Sequence, residues 1–152
     1  MKYTWSNLQF DLGSIESQIK ESGIVFDLIV GIVRGGCVPA VILSHRLGIP
    51  VQMVHWSTRD IGAGIVSNES NLWIPEDLSS GKKILIVEDI IDTGLSIKTL
   101  IEDWQEGVLE DLVMENIYIA TLINNTNNES HIVPNFIGRE HEGEFVDFCW
   151  EM

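Results

Sequence analysis

Residues 84–96, ILIVEDIIDTGLS, bring together the side chains of this chain best suited to chemistry. An apolar run ends in two adjacent carboxylates, Glu88 and Asp89. A turn then carries Asp92, Thr93 and Gly94, and Ser96 opens a helix. Thr93, Gly94, Leu95 and Ser96 offer backbone N–H groups and two hydroxyls at the positive end of a helix dipole, which makes a cradle for an anion. Gly94 permits the close backbone approach such a cradle needs. Glu88 and Asp89, beside it, can accept hydrogen bonds from sugar hydroxyls. They can equally hold Mg²⁺, which takes few protein carboxylates when substrate oxygens complete its shell. A phosphate cradle a few residues from diol-binding acids suits a sugar phosphate. A plainer reading stays open, in which Asp92 or Thr93 does no more than cap the helix. A second polar break, Arg34-Gly35-Gly36, interrupts another apolar run.

The elements around these clusters explain how they can meet. Residues 6–20 read as an amphipathic helix, with Ser6 as N-cap, Leu8, Leu12, Ile15 and Ile19 on one face, and Gly23 beyond. Residues 26–33 form an almost continuous β-branched run, the mark of a strand buried on both faces. A helix with Pro39 in its first turn follows, with Val38, Val41, Ile42 and His45 at helical spacing up to Gly48. Residues 51–56 read as a strand, and residues 57–71 as a polar, aperiodic loop long enough to act as a lid. KILIV, residues 83–87, is a third strand. The helix after it turns Ile97, Leu100, Ile101 and Trp104 inward. Residues 114–123 are a fourth strand, and the remainder is a polar connection and a short apolar tail. Alternating strands and helices point to an α/β fold: one domain over residues 1–152, with a doubly wound, mainly parallel sheet. Ligands of such sheets bind beyond the carboxyl ends of the strands, where both polar clusters fall.

The chain has 152 residues, with 9 Lys+Arg against 23 Asp+Glu and a formal net charge of -14. That surface repels nucleic acid and anionic membranes, so neither is an expected partner, and any phosphate must be held locally. No apolar run approaches the roughly 20 residues of a membrane span. Two cysteines, Cys37 and Cys149, make no disulfide framework, and the cytoplasm is the expected compartment.

The segment VEDIIDTGLS closely resembles the signature with which type I phosphoribosyltransferases bind 5-phosphoribosyl 1-pyrophosphate (PRPP). GIVRGGCVPAVILSHRLGIP is similar to the pyrophosphate loop and following helix of the short xanthine-guanine and hypoxanthine-guanine enzymes. EFVDFCWE is similar to their C-terminal purine-binding stretch. The resemblance implies transfer of a phosphoribosyl group from PRPP to a 6-oxopurine, with Mg²⁺ as cofactor, in purine salvage. It also implies a homodimer or homotetramer. Thr93, Gly94, Leu95 and Ser96 would cradle the 5′-phosphate. Glu88 and Asp89 would hold the ribose hydroxyls, directly or through magnesium. Arg34 and Gly35 would contact pyrophosphate, through an unusual cis peptide. Asp92 would serve N7 of the purine as acid/base, where orotate enzymes of this fold commonly carry Thr. Phe145 would stack on the base, Val146 would meet its edge through the backbone, and Asp147 would help with a second magnesium. A flexible hood over residues 57–75, with Arg59, would close on PRPP, and residues 134–152 would form the base-binding tail.

Two departures stand out. Ser96 replaces the commoner Thr and keeps the hydroxyl. Asn124 falls where a Lys usually donates to O6 of the base, which ranks hypoxanthine and guanine above the partly anionic xanthine. Two other functions remain in view: a PRPP or nucleotide sensor built on the same fold, and a transferase with another acceptor base.

Overall fold

The computed structural model describes residues 1–58, 73–108, 114–143 and 145–152. A two-residue strand, β1 (Lys2–Tyr3), leads into helix α1 (Trp5–Ser22). The helix starts a residue before Ser6. Thr4 is the N-cap: its hydroxyl accepts from the Asn7 N–H at 3.2 Å, while the Asn7 side chain accepts from the Thr4 N–H at 2.9 Å. This reciprocal pairing satisfies two donors and outcompetes Ser6. At the other end Gly23 closes the helix at φ 71°.

Strand β2 (Leu28–Val33) is followed by α2 (Cys37–Leu47) and β3 (Val51–His55). Small residues, not the largest apolar ones, choose the buried face of α2. Pro39, Ala40 and Leu43 point inward, while Val41 and His45, expected on the core face, are exposed. A Cβ on Gly31 would lie 2.7 Å from that of Ala40, so helix and strand touch only because both residues are small.

A short helix, α3 (Trp73–Ser79), precedes β4 (Ile84–Ile91), and α4 (Leu95–Glu106) follows it. Residues 73–75, expected in the hood, thus belong to a helix. The rest of the hood from 59 to 72, Arg59 included, lies outside the described residues. Strand β5 (Ile117–Asn125) starts three residues later than its sequence suggests, after a 3₁₀ turn at Met114–Asn116, and ends two later. Within the tail, β6 (Phe136–His141) and β7 (Asp147–Phe148) are strands that the sequence reading lacked.

Five strands form a wholly parallel sheet in the order β3-β2-β4-β5-β6. The order reverses between β2 and β4, which opens a crevice at their carboxyl ends. Helices α1 and α2 cover one face, burying Leu8, Leu12, Ile15 and Leu43 against Leu85, Val87 and Leu122. The other face holds Ile74, Leu78, Ile97, Leu100 and Trp104 over Val30, Ile84 and Ile86. A separate two-stranded sheet pairs β1 with β7, Tyr3 beside Phe148. Its anchor is an ionic joint between buried Asp11 and half-buried Arg139. Arg139 on β6 donates Nε and a terminal nitrogen to the two oxygens of Asp11 on α1, at 2.7 and 2.9 Å, and the Tyr3 hydroxyl donates to the same carboxylate at 2.6 Å. Among the described residues no helix is long and apolar enough to cross a membrane.

Candidate active site

A crevice of about 410 Å³ opens at the reversal point between β2 and β4. Arg34 and Gly35 wall it on one side, and Glu88, Asp89 and Asp92 rise from β4 and the turn beyond. Thr93 through Ser96 close one end, and Phe145 and Val146 stand on the tail.

Gly94, φ 71°, is the N-cap of helix α4 and has no side chain with which to close the first turn. The Leu95 N–H donates to the Thr93 hydroxyl at 3.4 Å, a long contact that meets one donor of the first turn. N–H groups at a helix start that no side chain satisfies are available to a ligand. Gly94 is packed from outside: a Cβ there would lie 2.5 Å from Ile132 and 2.8 Å from the Ser130 hydroxyl. The Ser96 hydroxyl sits 3.3 Å from that of Thr58, where the hood begins.

In a regular strand Glu88 and Asp89 would face opposite ways, yet both line the crevice. The side-chain alternation slips here. Val87 and Ile90 pack in the same core cluster, and Leu122 and Ile123 share that cluster on the neighbouring strand. The buried Thr121 hydroxyl lies 2.9 Å from the Ile123 carbonyl and 3.3 Å from that of Asp89, at the point where the strand register skips Asp89 and Leu122. Asp89 is only 7% exposed and leans over Gly35, where any Cβ would overlap its carboxylate. Burial pushes the Asp89 carboxyl up to about 6. Hydrogen bonding with Glu88 and from the Ile90 N–H opposes the rise, and the nearby charge of Glu151 adds to it. The peptide between Val33 and Arg34 is cis, as the resemblance implied.

The remaining candidates separate. Asp92 lines the crevice, and its Oδ1 accepts from Asn125 Nδ2 at 3.1 Å and Asn128 Nδ2 at 2.6 Å. Phe145 is 72% exposed, its ring open to a flat partner, while Val146 is buried behind it. The strand-end residue in the crevice wall is Asn125, not Asn124, because β5 runs past the expected end. Asp147 lies exposed on β7 outside the lining, and Glu151 takes a place in the wall instead. The Trp150-Glu151 pair was visible in the tail, but only the fold of the tail shows which acid turns inward. Asn125 and Asn128 gave no sequence signal. Among the described residues the walls carry four acids, Glu88, Asp89, Asp92 and Glu151, against the cation Arg34.

The sequence pattern described as the phosphoribosyl transferase domain matches residues 3–152. The chain belongs to that family. Its fold is the type I phosphoribosyltransferase fold: over its whole length it superposes on 94% of a purine phosphoribosyltransferase from Pyrococcus horikoshii, with a TM-score of 0.73 and 25% identity. The chain is 29% identical over 123 residues to a hypoxanthine phosphoribosyltransferase of Haemophilus influenzae, covering 78% of this chain and 65% of that protein. It is 32% identical over 117 residues to orotate phosphoribosyltransferase 2 of Mesorhizobium japonicum, covering 76% of this chain and 53% of that one. The chain thus spans between about half and two thirds of the length of those two relatives. Purine and orotate enzymes both stand among its relatives, so family membership leaves the acceptor base open.

Proposed function

We propose that the protein transfers the 5-phosphoribosyl group of PRPP to a 6-oxopurine, hypoxanthine or guanine ahead of xanthine, and releases pyrophosphate. The observation that carries the reading is the start of α4 at Gly94, opening into the same crevice as Glu88, Asp89 and Asp92. The N–H groups and hydroxyls from Thr93 to Ser96 hold the 5′-phosphate. Glu88 and Asp89 face the ribose, while Arg34 and the backbone at Gly35 take the pyrophosphate.

The donor set fits Mg²⁺. Asp89 is buried with no cation paired to it among the described residues, and Glu88 lies beside it. Two carboxylates suit a cation that completes its shell from substrate oxygens, and no larger acidic cluster of metal-binding type occurs among the described residues. When bound, the ion neutralises charge that develops on departing pyrophosphate. Arg34 shares that electrostatic task. Asp92 moves a proton at N7 as N9 attacks the anomeric carbon, a contribution of typically 10²- to 10⁴-fold. Phe145 stacks on the base.

A purine is favoured over orotate on two grounds. Asp92 has a task at N7, which a pyrimidine lacks. Orotate also brings its own carboxylate to walls already rich in acids. Release of pyrophosphate from PRPP with a panel of bases, repeated with Asp92→Asn, tests the reading. Turnover with hypoxanthine and guanine is expected, falling roughly 10²- to 10⁴-fold in the variant while calorimetry still detects PRPP binding. A response to orotate alone would move the protein to the pyrimidine enzymes. PRPP binding without turnover on any base would put a sensor in its place.

A further inference from the structure

The end of β5 and the connection to β6 carry two amides that meet at Asp92. Asn125 is the last residue of β5 and only 6% exposed. Its Nδ2 donates to Asp92 Oδ1 at 3.1 Å and to the Gly143 carbonyl at 3.2 Å, and its Oδ1 accepts from the Asn127 N–H at 3.1 Å. A side-chain amide has two N–H hydrogens, and both are committed. The partners also fix which way the amide faces: two acceptors lie on one side and a backbone donor on the other. Asn128 adds a second donor to the same Asp92 oxygen, at 2.6 Å.

We infer that Asn125 and Asn128 are positioning residues that hold Asp92 for proton transfer, and that Asn125 does not serve the base. Asp92 sits in the turn between β4 and α4, where a carboxylate is free to rotate about two side-chain bonds unless something holds it. Asn125 is secured by the sheet, paired through β5 and β6 with His141. Asn128 is secured by its own connection, which is tied to the phosphate turn at two further points. The His131 N–H donates to the Thr93 carbonyl at 2.7 Å, and Ser130 and Ile132 close over Gly94. The carboxylate and the phosphate cradle are therefore fixed by one connection. Reaction geometry is sensitive to such support, since a misplacement of about 1 Å costs on the order of 10²-fold in rate.

The inference rests on Asp92 being the acid/base, and a double-mutant cycle separates the two ideas. Asn125→Ala, Asn128→Ala and Asp92→Asn are made singly, and each alanine variant is combined with Asp92→Asn. Single-turnover rates with hypoxanthine are read with enzyme in excess, alongside the KM for PRPP and for the base. Each alanine variant is expected to slow turnover roughly 10- to 100-fold with both KM values held within about threefold. In the Asp92→Asn background the same changes should have less than about a twofold effect, since a positioning residue has nothing left to position. Asn128 is exposed, so its variant keeps the test valid if the buried Asn125→Ala fails to fold. Equal losses in both backgrounds, or wild-type turnover in both single alanine variants, would overturn the inference and leave the role of Asp92 intact. A raised KM for the base with turnover unchanged would make Asn125 a base ligand, again overturning it. Full activity in Asp92→Asn would sink the acid/base reading itself, and the positioning role with it.

Discussion

Two aspartates are buried among the described residues, and their surroundings are opposites. Asp11 is fully buried and receives two guanidinium nitrogens from Arg139 and the Tyr3 hydroxyl. Asp89 is almost as deep, yet its side chain receives the Ile90 N–H at 2.7 Å and meets no cation among the described residues. Glu88, Glu151 and the floor at Gly35 surround it. The carboxylate of Asp11 is compensated inside the fold and joins α1, β1 and β6. That of Asp89, in the wall of a crevice, has no countercharge among the described residues. Burial alone does not mark a functional acid, but burial without a countercharge does.

Removing Arg139 should give the largest effect on stability. Arg139→Met leaves Asp11 buried with only the Tyr3 hydroxyl. Denaturant unfolding should show a loss of about 3 kcal/mol or more, the range for a buried pair broken from one side. A neutral result would mean that the joint is ornamental and the comparison empty.

The same treatment of Asp89 should act in the other direction. A carboxyl raised from 3.8 to about 6 holds its proton longer in the folded chain than in the unfolded one. Folding is therefore unpenalised below about pH 4. It loses stability as pH rises through about 6, by up to about 3 kcal/mol at pH 7. Asp89→Asn should make the ligand-free protein more stable than wild type at pH 7 by up to that amount, with the advantage gone at pH 4 and turnover on PRPP lost. Destabilisation at pH 7 would show that the fold, not a ligand, needs this charge.

Two smaller effects sharpen the contrast. At pH 6, binding of magnesium and PRPP should release a fraction of a proton from Asp89, read by calorimetry in buffers of different ionisation enthalpy. Gly35→Ala should push the Asp89 side chain aside and weaken PRPP binding severalfold, with little change in the unfolding midpoint. An unaltered affinity would mean that the carboxylate has room to move.

Much of this was legible in the chain. VEDIIDTGLS announced its own position, because a dense apolar run followed by acids and a Gly turn has few other places in a parallel sheet. The run of residues 26–33 and the Leu8-Leu12-Ile15-Ile19 face of α1 were equally plain. What escaped was set by contacts distant in sequence. β6 is an edge strand whose Gly138, Arg139 and Glu140 break any apolar pattern, and it is recognisable only once Arg139 meets Asp11. The inward face of α2 follows from Gly31 and Ala40, which carry no hydrophobic signal of their own. Asn125 and Glu151 entered the crevice through the true end of β5 and the fold of the tail, and neither could be read from local spacing.

The pairing of β1 with β7 divides the crevice between two supports. The half from Arg34 to Ser96 hangs on the five-stranded sheet, whereas Phe145, Val146 and Phe148 belong to a small ribbon held by aromatic packing of Tyr3, Phe148 and Trp150. On the proposed function, such a division would let changes in the ribbon alter the choice of acceptor base without disturbing the residues that hold PRPP.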